Sequence, residues 1–284
     1  MIEVKDLTFS YDKKPFIEKM NFSVKSGEIF GFLGPSGAGK TTVQKIMTGL
    51  ITNYQGSVRV NGTECRNRTQ AFYEDIGVDF EFPALYEKLT ARQNLEYFAS
   101  LYGRVCRPPQ ESLEKAGLGK DGDKRVSGFS KGMRSRLAFL RALQHDPGLL
   151  FLDEPTSGLD PSNSRVMKDM ILEEKEKGKT IILTTHNMHD AAELCDRVAF
   201  IVNGRVCALD TPHNLIMGRG GAARLSYTWK RQDGGEGRGE CLLSDTSQDV
   251  RLNRLMAENR LTSLHSSEPD LNDIFLEITG RALV

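Results

Sequence analysis

The stretch GPSGAGKT (34–41) closes the apolar run EIFGFLG (28–34) and opens onto VQKIMTGL (43–50), which carries helical periodicity. The spacing fits G-x-x-x-x-G-K-[ST] between a strand buried on both faces and a helix, the context that gives this short pattern its meaning. Gly34, Gly37 and Gly39 allow a tight turn whose N–H groups point inward, an anion nest at a helix N-terminus. Residues 34–42 (Gly34, Pro35, Ser36, Gly37, Ala38, Gly39, Lys40, Thr41, Thr42) are therefore expected to hold a nucleotide. In that arrangement Lys40 reaches the β- and γ-phosphates and the Thr41 hydroxyl ligates Mg²⁺.

Further along, LLFLDEP (149–155) places Asp153 and Glu154 at the end of a second apolar run. Two adjacent acids after a strand can simply begin a turn. With the phosphate loop upstream they divide into a carboxylate that orients the metal, Asp153, and one that polarises water in line with the γ-phosphate, Glu154. The expected chemistry is nucleotide hydrolysis with Mg²⁺.

The bulk composition narrows the partners. Lys plus Arg and Asp plus Glu are equal at 38 each, so no global basic field points to nucleic acid. No apolar run approaches the roughly 20 residues that cross a bilayer, and MIEVKDLTFSY at the start reads as a strand rather than a leader. The 5 cysteines lack CxxC spacing, which argues against a disulfide framework or zinc site and for a reducing compartment.

The order of elements predicts an α/β fold. IEVKDLTFSY (2–11), FIEKMNFSV (16–24) and SVRVNG (57–62) alternate like half-buried strands, while TIILTTH (180–186) matches the buried runs above. Residues 84–145 carry two helical stretches and no strand run, and read as a helical insertion. A turn cluster, GRGG (218–221), marks an expected boundary between a domain of residues 1–217 and an appendage of residues 218–284. In the appendage Leu225, Tyr227 and Trp229 alternate like one arm of a hairpin turning at GGEGRG (234–239). DLNDIFLEITG (270–280) is expected to be a helix capped by Gly280.

Over roughly residues 1–215 the sequence resembles the ATP-binding subunits of ABC transporters. FSKGM (129–133) stands where the family signature, usually LSGGQ, is found; Ser130 and Gly132 match, whereas Lys131 and Met133 depart in a way similar to drug-exporter branches. The resemblance implies a P-loop NTPase (RecA-like) core with an antiparallel β subdomain, an inserted helical subdomain (about 84–145) and a small C-terminal αβ appendage. It implies that Ser130, Lys131 and Gly132 serve ATP held by a second ATP-binding subunit, in a homodimer or a heterodimer. It also makes SGLD (157–160), through Asp160, a dimer-interface loop, His186 a switch residue at the γ-phosphate, and Tyr11 an aromatic stacked on adenine.

GVDFEFP (77–83) falls at the family's strand-to-loop segment ending in Gln, which here is Glu81. Glu81 is expected to remain metal-facing beside Thr41 and Asp153, and Asp79 to be an exposed face residue. The following PALYEKLTARQNLEYFASLYG (83–103) resembles the segment that receives a transmembrane permease subunit, with Phe82, Leu85, Tyr86 and Tyr97 as apolar candidates.

The leading expectation is a membrane-peripheral ATPase at the cytoplasmic face that dimerises on MgATP and drives a separate membrane subunit. Its C-terminal EPDLNDIFLEITGR (268–281) resembles subunits of drug, lipid and antibiotic exporters. Two other readings stay open: a soluble ABC-type ATPase acting on ribosomes or DNA, and a binding module whose hydrolysis Glu81 impairs. A single cassette without sustained heptads or net positive charge weighs against the first, and the Asp153–Glu154–His186 set against the second.

Overall fold

The computed structural model describes residues 1–12, 14–80, 84–218, 223–231, 234–267 and 269–280. Two compact units are present, Met1–Thr211 and a second beginning at Pro212.

In the first unit, β1 (Ile2–Phe9) lies between β2 (Ile17–Val24) and β4 (Gln55–Val60), with the short β5 (Thr63–Glu64) at the edge of this antiparallel sheet. Ile2, Val4, Leu7 and Phe9 point inward, the period-2 pattern of a sheet covered on one face, interrupted once between Val4 and Leu7, where the register with β2 shifts. A second sheet has the order β10-β9-β3-β8-β7-β6: β3 (Ile29–Leu33), β6 (Ile76–Asp79), β7 (Leu149–Asp153), β8 (Thr180–Thr185) and β9 (Arg197–Val202) are parallel, and β10 (Arg205–Asp210) pairs antiparallel with β9. Every residue of β3, β7 and β8 is buried, as expected for parallel strands covered on both faces. Since β3, β8 and β7 are immediate neighbours, the segments leaving their carboxyl ends converge on one crevice, where open α/β sheets bind ligands.

The helices of this unit are α1 (Lys40–Met47), α2 (Gln70–Glu74), α3 (Ala91–Ala99), α4 (Pro109–Lys115), α5 (Lys131–Leu143), α6 (Pro161–Glu176) and α7 (Met188–Leu194). Between β6 and β7, α3, α4 and α5 enclose their own core of Ala91, Leu95, Leu113, Leu118, Val126, Leu137 and Leu140. The start of α3 is set by a capping box: Thr90 accepts from Gln93 N at 3.1 Å, and Thr90 N donates to Gln93 Oε1 at 2.9 Å. Asp160 caps α6, and Pro161 occupies its first turn, where the missing N–H costs nothing.

The second unit contains α8 (Pro212–Gly218), β11 (Arg224–Lys230), β12 (Glu236–Leu242), α9 (Val250–Ala257), β13 (Leu261–Ser267) and α10 (Leu271–Thr279). Its sheet order is β12-β11-β13, all antiparallel, with Leu225, Tyr227, Leu252 and Leu255 buried together. The expected hairpin of β11 and β12 is present, but only Gly234 and Gly235 of GGEGRG lie in its connection: β12 begins at Glu236, and Gly237 and Gly239 sit inside it opposite Trp229 and Tyr227. Gly280 caps α10 with φ 64°, in the left-handed region glycine tolerates. Residues 219–221 of the anticipated boundary cluster lie outside the described residues. Among those described, no helix is long and apolar enough to cross a membrane.

Candidate active site

The crevice at the carboxyl ends of β3, β7 and β8 is a cavity of about 260 Å³, lined by residues 36–42 with Phe16, Glu154, Ser157 and His186. It is at the small end of ligand pockets, so a nucleotide on the loop would keep its base at the rim. The chain turns tightly here because Gly37 and Gly39 have φ 77° and 110°. Gly34 is needed for a second reason: a β-carbon there would lie 2.1 Å from the Ile201 carbonyl oxygen. Gly34 and Pro35 form the base of the loop, and Lys40 Nζ donates to their carbonyls at 2.6 and 3.2 Å.

Loop and strand end meet at the next residue. Thr41 Oγ1 donates to Asp153 Oδ2 at 3.0 Å and lies 3.2 Å from Oδ1. Asp153 is buried, and the Thr184 hydroxyl also donates to Oδ1. A buried carboxylate and a hydroxyl facing a phosphate loop form a hard oxygen donor set, which suits Mg²⁺ arriving with a nucleotide.

Glu154 leaves β7 with φ 53°, in the left-handed region, and its N–H donates to Thr184 O at 3.0 Å. That turn swings the carboxylate out of the strand direction and into the crevice. Glu154 Oε2 lies 2.9 Å from His186 Nδ1 and accepts from His186 N at 3.4 Å; Glu154 Oε1 lies 3.9 Å from Lys40 Nζ. The Glu154 side chain is only 12% exposed whereas that of His186 is 52% exposed, so the imidazole stands at the mouth and the carboxylate within. A carboxylate so placed can take a proton from water beside a γ-phosphoryl group, with the lysine ammonium and the nest stabilising the phosphate oxygens.

Tyr11 is exposed, with its hydroxyl 3.0 Å from Thr42 Oγ1 and its ring edge-on to Phe16 at 5.4 Å. The aromatic lining the cavity itself is Phe16, which sequence reading passed over. Its signal was a second aromatic at the mouth of β2, and a Gly39 β-carbon would lie 3.6 Å from its Cε1.

The remaining candidates assemble elsewhere. Ser130 caps α5, accepting from Met133 N at 3.3 Å. Asp160 accepts from Asn163 N and Nδ2 at 3.0 and 2.6 Å. A β-carbon on Gly132 would lie 2.4 Å from Asn163 Cγ, and one on Gly158 2.1 Å from Lys131 Nζ. The starts of α5 and α6 therefore form one close-packed surface carrying Ser130, Lys131, Gly132 and Asp160, apart from the residues that line the phosphate crevice.

Asp79 corrects an expectation: it is buried, not an exposed face residue. Strand β6 pairs with β7 in register Asp79↔Leu152, and Asp79 Oδ1 is 3.7 Å from Arg141 Nη2 without a hydrogen-bond partner among the described residues. Burial pushes its pKa up to about 7, with Asp153 adding to the rise and Arg141 opposing it. Glu81 and Phe82 lie outside the described residues. Tyr86 and Tyr97 are exposed, their rings 4.9 Å apart, and Leu85 packs on the helical core.

A family model described as ABC transporter matches residues 17–157. The fluoroquinolones export ATP-binding protein of Mycobacterium tuberculosis is 45% identical over 285 residues, covering 100% of this chain and 94% of that one. The linearmycin resistance ATP-binding protein of Bacillus subtilis is 31% identical over 315 residues, covering 100% of this chain and 99% of its own length. Among solved structures, an ATP-binding subunit of an ABC transporter superposes with a TM-score of 0.70 at 30% identity, covering 78% of this chain and 93% of that one.

Proposed function

The chain belongs to the ABC transporter family as an ATP-binding, ATP-hydrolysing subunit, and from that premise we propose how its residues divide the work. The observation that carries the proposal is the Glu154–His186 contact of 2.9 Å at the mouth of the phosphate crevice, with Lys40 Nζ 3.9 Å from the same carboxylate.

MgATP sits on residues 34–42, its base toward Phe16 and Tyr11. Thr41 and Asp153 hold the oxygen positions facing the metal, which when bound neutralises phosphate charge. Glu154 orients water toward the γ-phosphorus and accepts its proton as the bond to the β–γ bridging oxygen breaks. His186 holds the Glu154 carboxylate and meets the γ-phosphate from the mouth. ADP and phosphate are the products. Ser130, Lys131, Gly132 and Asp160 complete the site of a second ATP-binding subunit, a role supported by their shared surface apart from the crevice lining.

The membrane partner is a separate permease subunit, reached from the cytoplasmic face through the segment with Tyr86 and Tyr97. The direction is outward, and the cargo is a drug, antibiotic or lipid; the names of the relatives support export and a drug or antibiotic. Residues 1–217 form the ATP-binding domain in this reading and 218–284 an appendage.

Replacing Glu154 by Gln tests it: the variant should bind MgATP, turn over at least about 100-fold more slowly, and accumulate as an ATP-dependent dimer. Pulled from native membranes in mild detergent, it should bring a polytopic membrane protein in fixed stoichiometry. Turnover at the parent rate would remove Glu154 from its role, and reproducible recovery of soluble partners alone would remove the transporter assignment.

A further inference from the structure

Behind the Glu154–His186 pair lies a carboxylate that does not touch the crevice. Asp190, in the first turn of α7, is 5% exposed, and burying an ionised carboxylate is costly unless several donors meet it. Three segments supply them. Thr156 Oγ1 donates to Asp190 Oδ2 at 2.8 Å, Asn187 Nδ2 donates to the same oxygen at 3.0 Å, and Lys168 Nζ from α6 lies 3.3 Å from Oδ1.

The placement of those donors matters more than their number. Thr156 stands two residues after Glu154, within the turn closed by Ser157 N donating to Glu154 O at 3.0 Å. Asn187 directly follows His186, and its Oδ1 accepts from His189 N and Asp190 N at 3.0 and 3.2 Å. One carboxylate oxygen thus pins the turn that aims Glu154 and the helix cap next to His186. A helix-stabilising acid in a first turn needs neither burial nor a threonine from another segment.

The neighbouring His189 and Glu193 bring their ligand atoms within 4.8 Å of Asp190 and one another. A cation site is not the better account, because Asp190 is engaged as above and Glu193 is bonded to Lys168 and Arg165.

We propose that Asp190 is a positioning residue for hydrolysis, holding Glu154 and His186 at their mutual distance through Thr156 and Asn187. This rests on the dyad reading given under Proposed function. A misplacement near 1 Å can cost about 100-fold in rate, so removing one tie of a well-packed site should cost about tenfold in kcat.

The test compares Asp190→Ala, Thr156→Val and His186→Ala singly, and the first two each paired with His186→Ala, in the full chain. Steady-state turnover, equilibrium binding of a non-hydrolysable ATP analogue and the melting temperature are read for each. Expected are kcat losses of about tenfold for Asp190→Ala and for Thr156→Val, analogue binding within about twofold, and a combined loss clearly smaller than the product of the single losses when either is added to His186→Ala. Full multiplicative losses in the His186→Ala background would overturn the proposal. So would kcat losses that only track weaker analogue binding. If Asp190→Ala does not fold, Thr156→Val alone decides, because it removes the Glu154-side tie and leaves the charge of Asp190 with Lys168. His186→Ala turning over at the parent rate would instead overturn the dyad reading itself, and this proposal with it.

Discussion

Gly132, in the first turn of α5, faces Asn163 on α6 so closely that a β-carbon would lie 2.4 Å from Asn163 Cγ and 2.5 Å from Oδ1. Asn163 is not free to swing away without loss, because its N and Nδ2 both donate to the Asp160 cap. Gly132→Ala should therefore displace Asn163 and loosen the Asp160 cap, at about 1–3 kcal/mol, the usual range for overpacking. Asn163→Gly combined with Gly132→Ala should recover part of that loss, since it clears the space. Denaturant unfolding of Gly132→Ala, Asn163→Gly and the pair measures both. A single variant as stable as the parent would mean that the starts of α5 and α6 can part without cost.

Thr184 joins both acids. It is fully buried on β8, its hydroxyl donates to Asp153 Oδ1, and its carbonyl and hydroxyl oxygens accept from Glu154 N at 3.0 and 3.3 Å. Thr184→Val keeps the shape and the carbonyl but deletes the donor to a charged group, a loss of about 1.5–3 kcal/mol. The variant should melt lower, hydrolyse ATP about tenfold more slowly, and need more Mg²⁺ for half-maximal turnover. Thr184→Ser should restore the Mg²⁺ titration. An unchanged titration in the Val variant would show that the hydroxyl does not orient Asp153.

How much of this was legible in the residues follows from how local each feature is. The phosphate loop holds its glycines, lysine and threonine within eight successive residues (34–41), so the sequence displays it; the same holds for Asp153–Glu154 at the end of an apolar run. Asp79 misled because alternation in a strand marks the buried face only when one face meets water, and β6 joins a parallel sheet. Phe16, Asn163 and Asp190 matter through residues distant in the chain, and no spacing records such contacts. Gly237 and Gly239 read as a turn by composition, whereas their place was fixed by the aromatic residues across the ladder.

Asp79 has a pH signature. With its pKa raised from 3.8 to about 7, chiefly by burial, it is protonated in both folded and unfolded chains at low pH. Its contribution to stability is fully present below the unfolded value of 3.8 and is lost as pH rises through about 7, because only the unfolded chain ionises it freely. Asp79→Asn has no such dependence, and Arg141 keeps its bonds to Val78 O and Ala84 O at 3.2 and 2.9 Å. Relative to the parent, the variant should melt higher at about pH 8 than at about pH 5, by at least about 2–4 °C, the shift that about 1 kcal/mol produces in a chain of this size. Melting curves of the nucleotide-free protein decide it: a difference independent of pH would mean that Arg141 holds Asp79 ionised throughout.

In the second unit, Tyr227 on β11 is opposite Gly239 on β12, and a β-carbon at Gly239 would lie 2.4 Å from Tyr227 Cζ. Tyr227 is 3% exposed, and its hydroxyl donates at 2.9 Å to Asp249, the residue that caps α9 by accepting from Leu252 N at 2.9 Å. The empty glycine surface thus lets one ring tie the sheet to a helix, as aromatic side chains do when they cover a cross-strand glycine. Gly239→Ala forces that ring aside, with an expected cost of about 1–3 kcal/mol; Tyr227→Phe keeps the packing and loses one bond to a carboxylate, about 1.5–3 kcal/mol. Trp229, the single tryptophan, sits two residues from Tyr227 on the same strand and reports locally. In urea, its fluorescence should show both variants unfolding earlier than the parent, and Gly239→Ala combined with Tyr227→Phe should fall short of the sum, since the two changes strike one contact. Strict additivity would mean that Gly239 does not set the position of the Tyr227 ring.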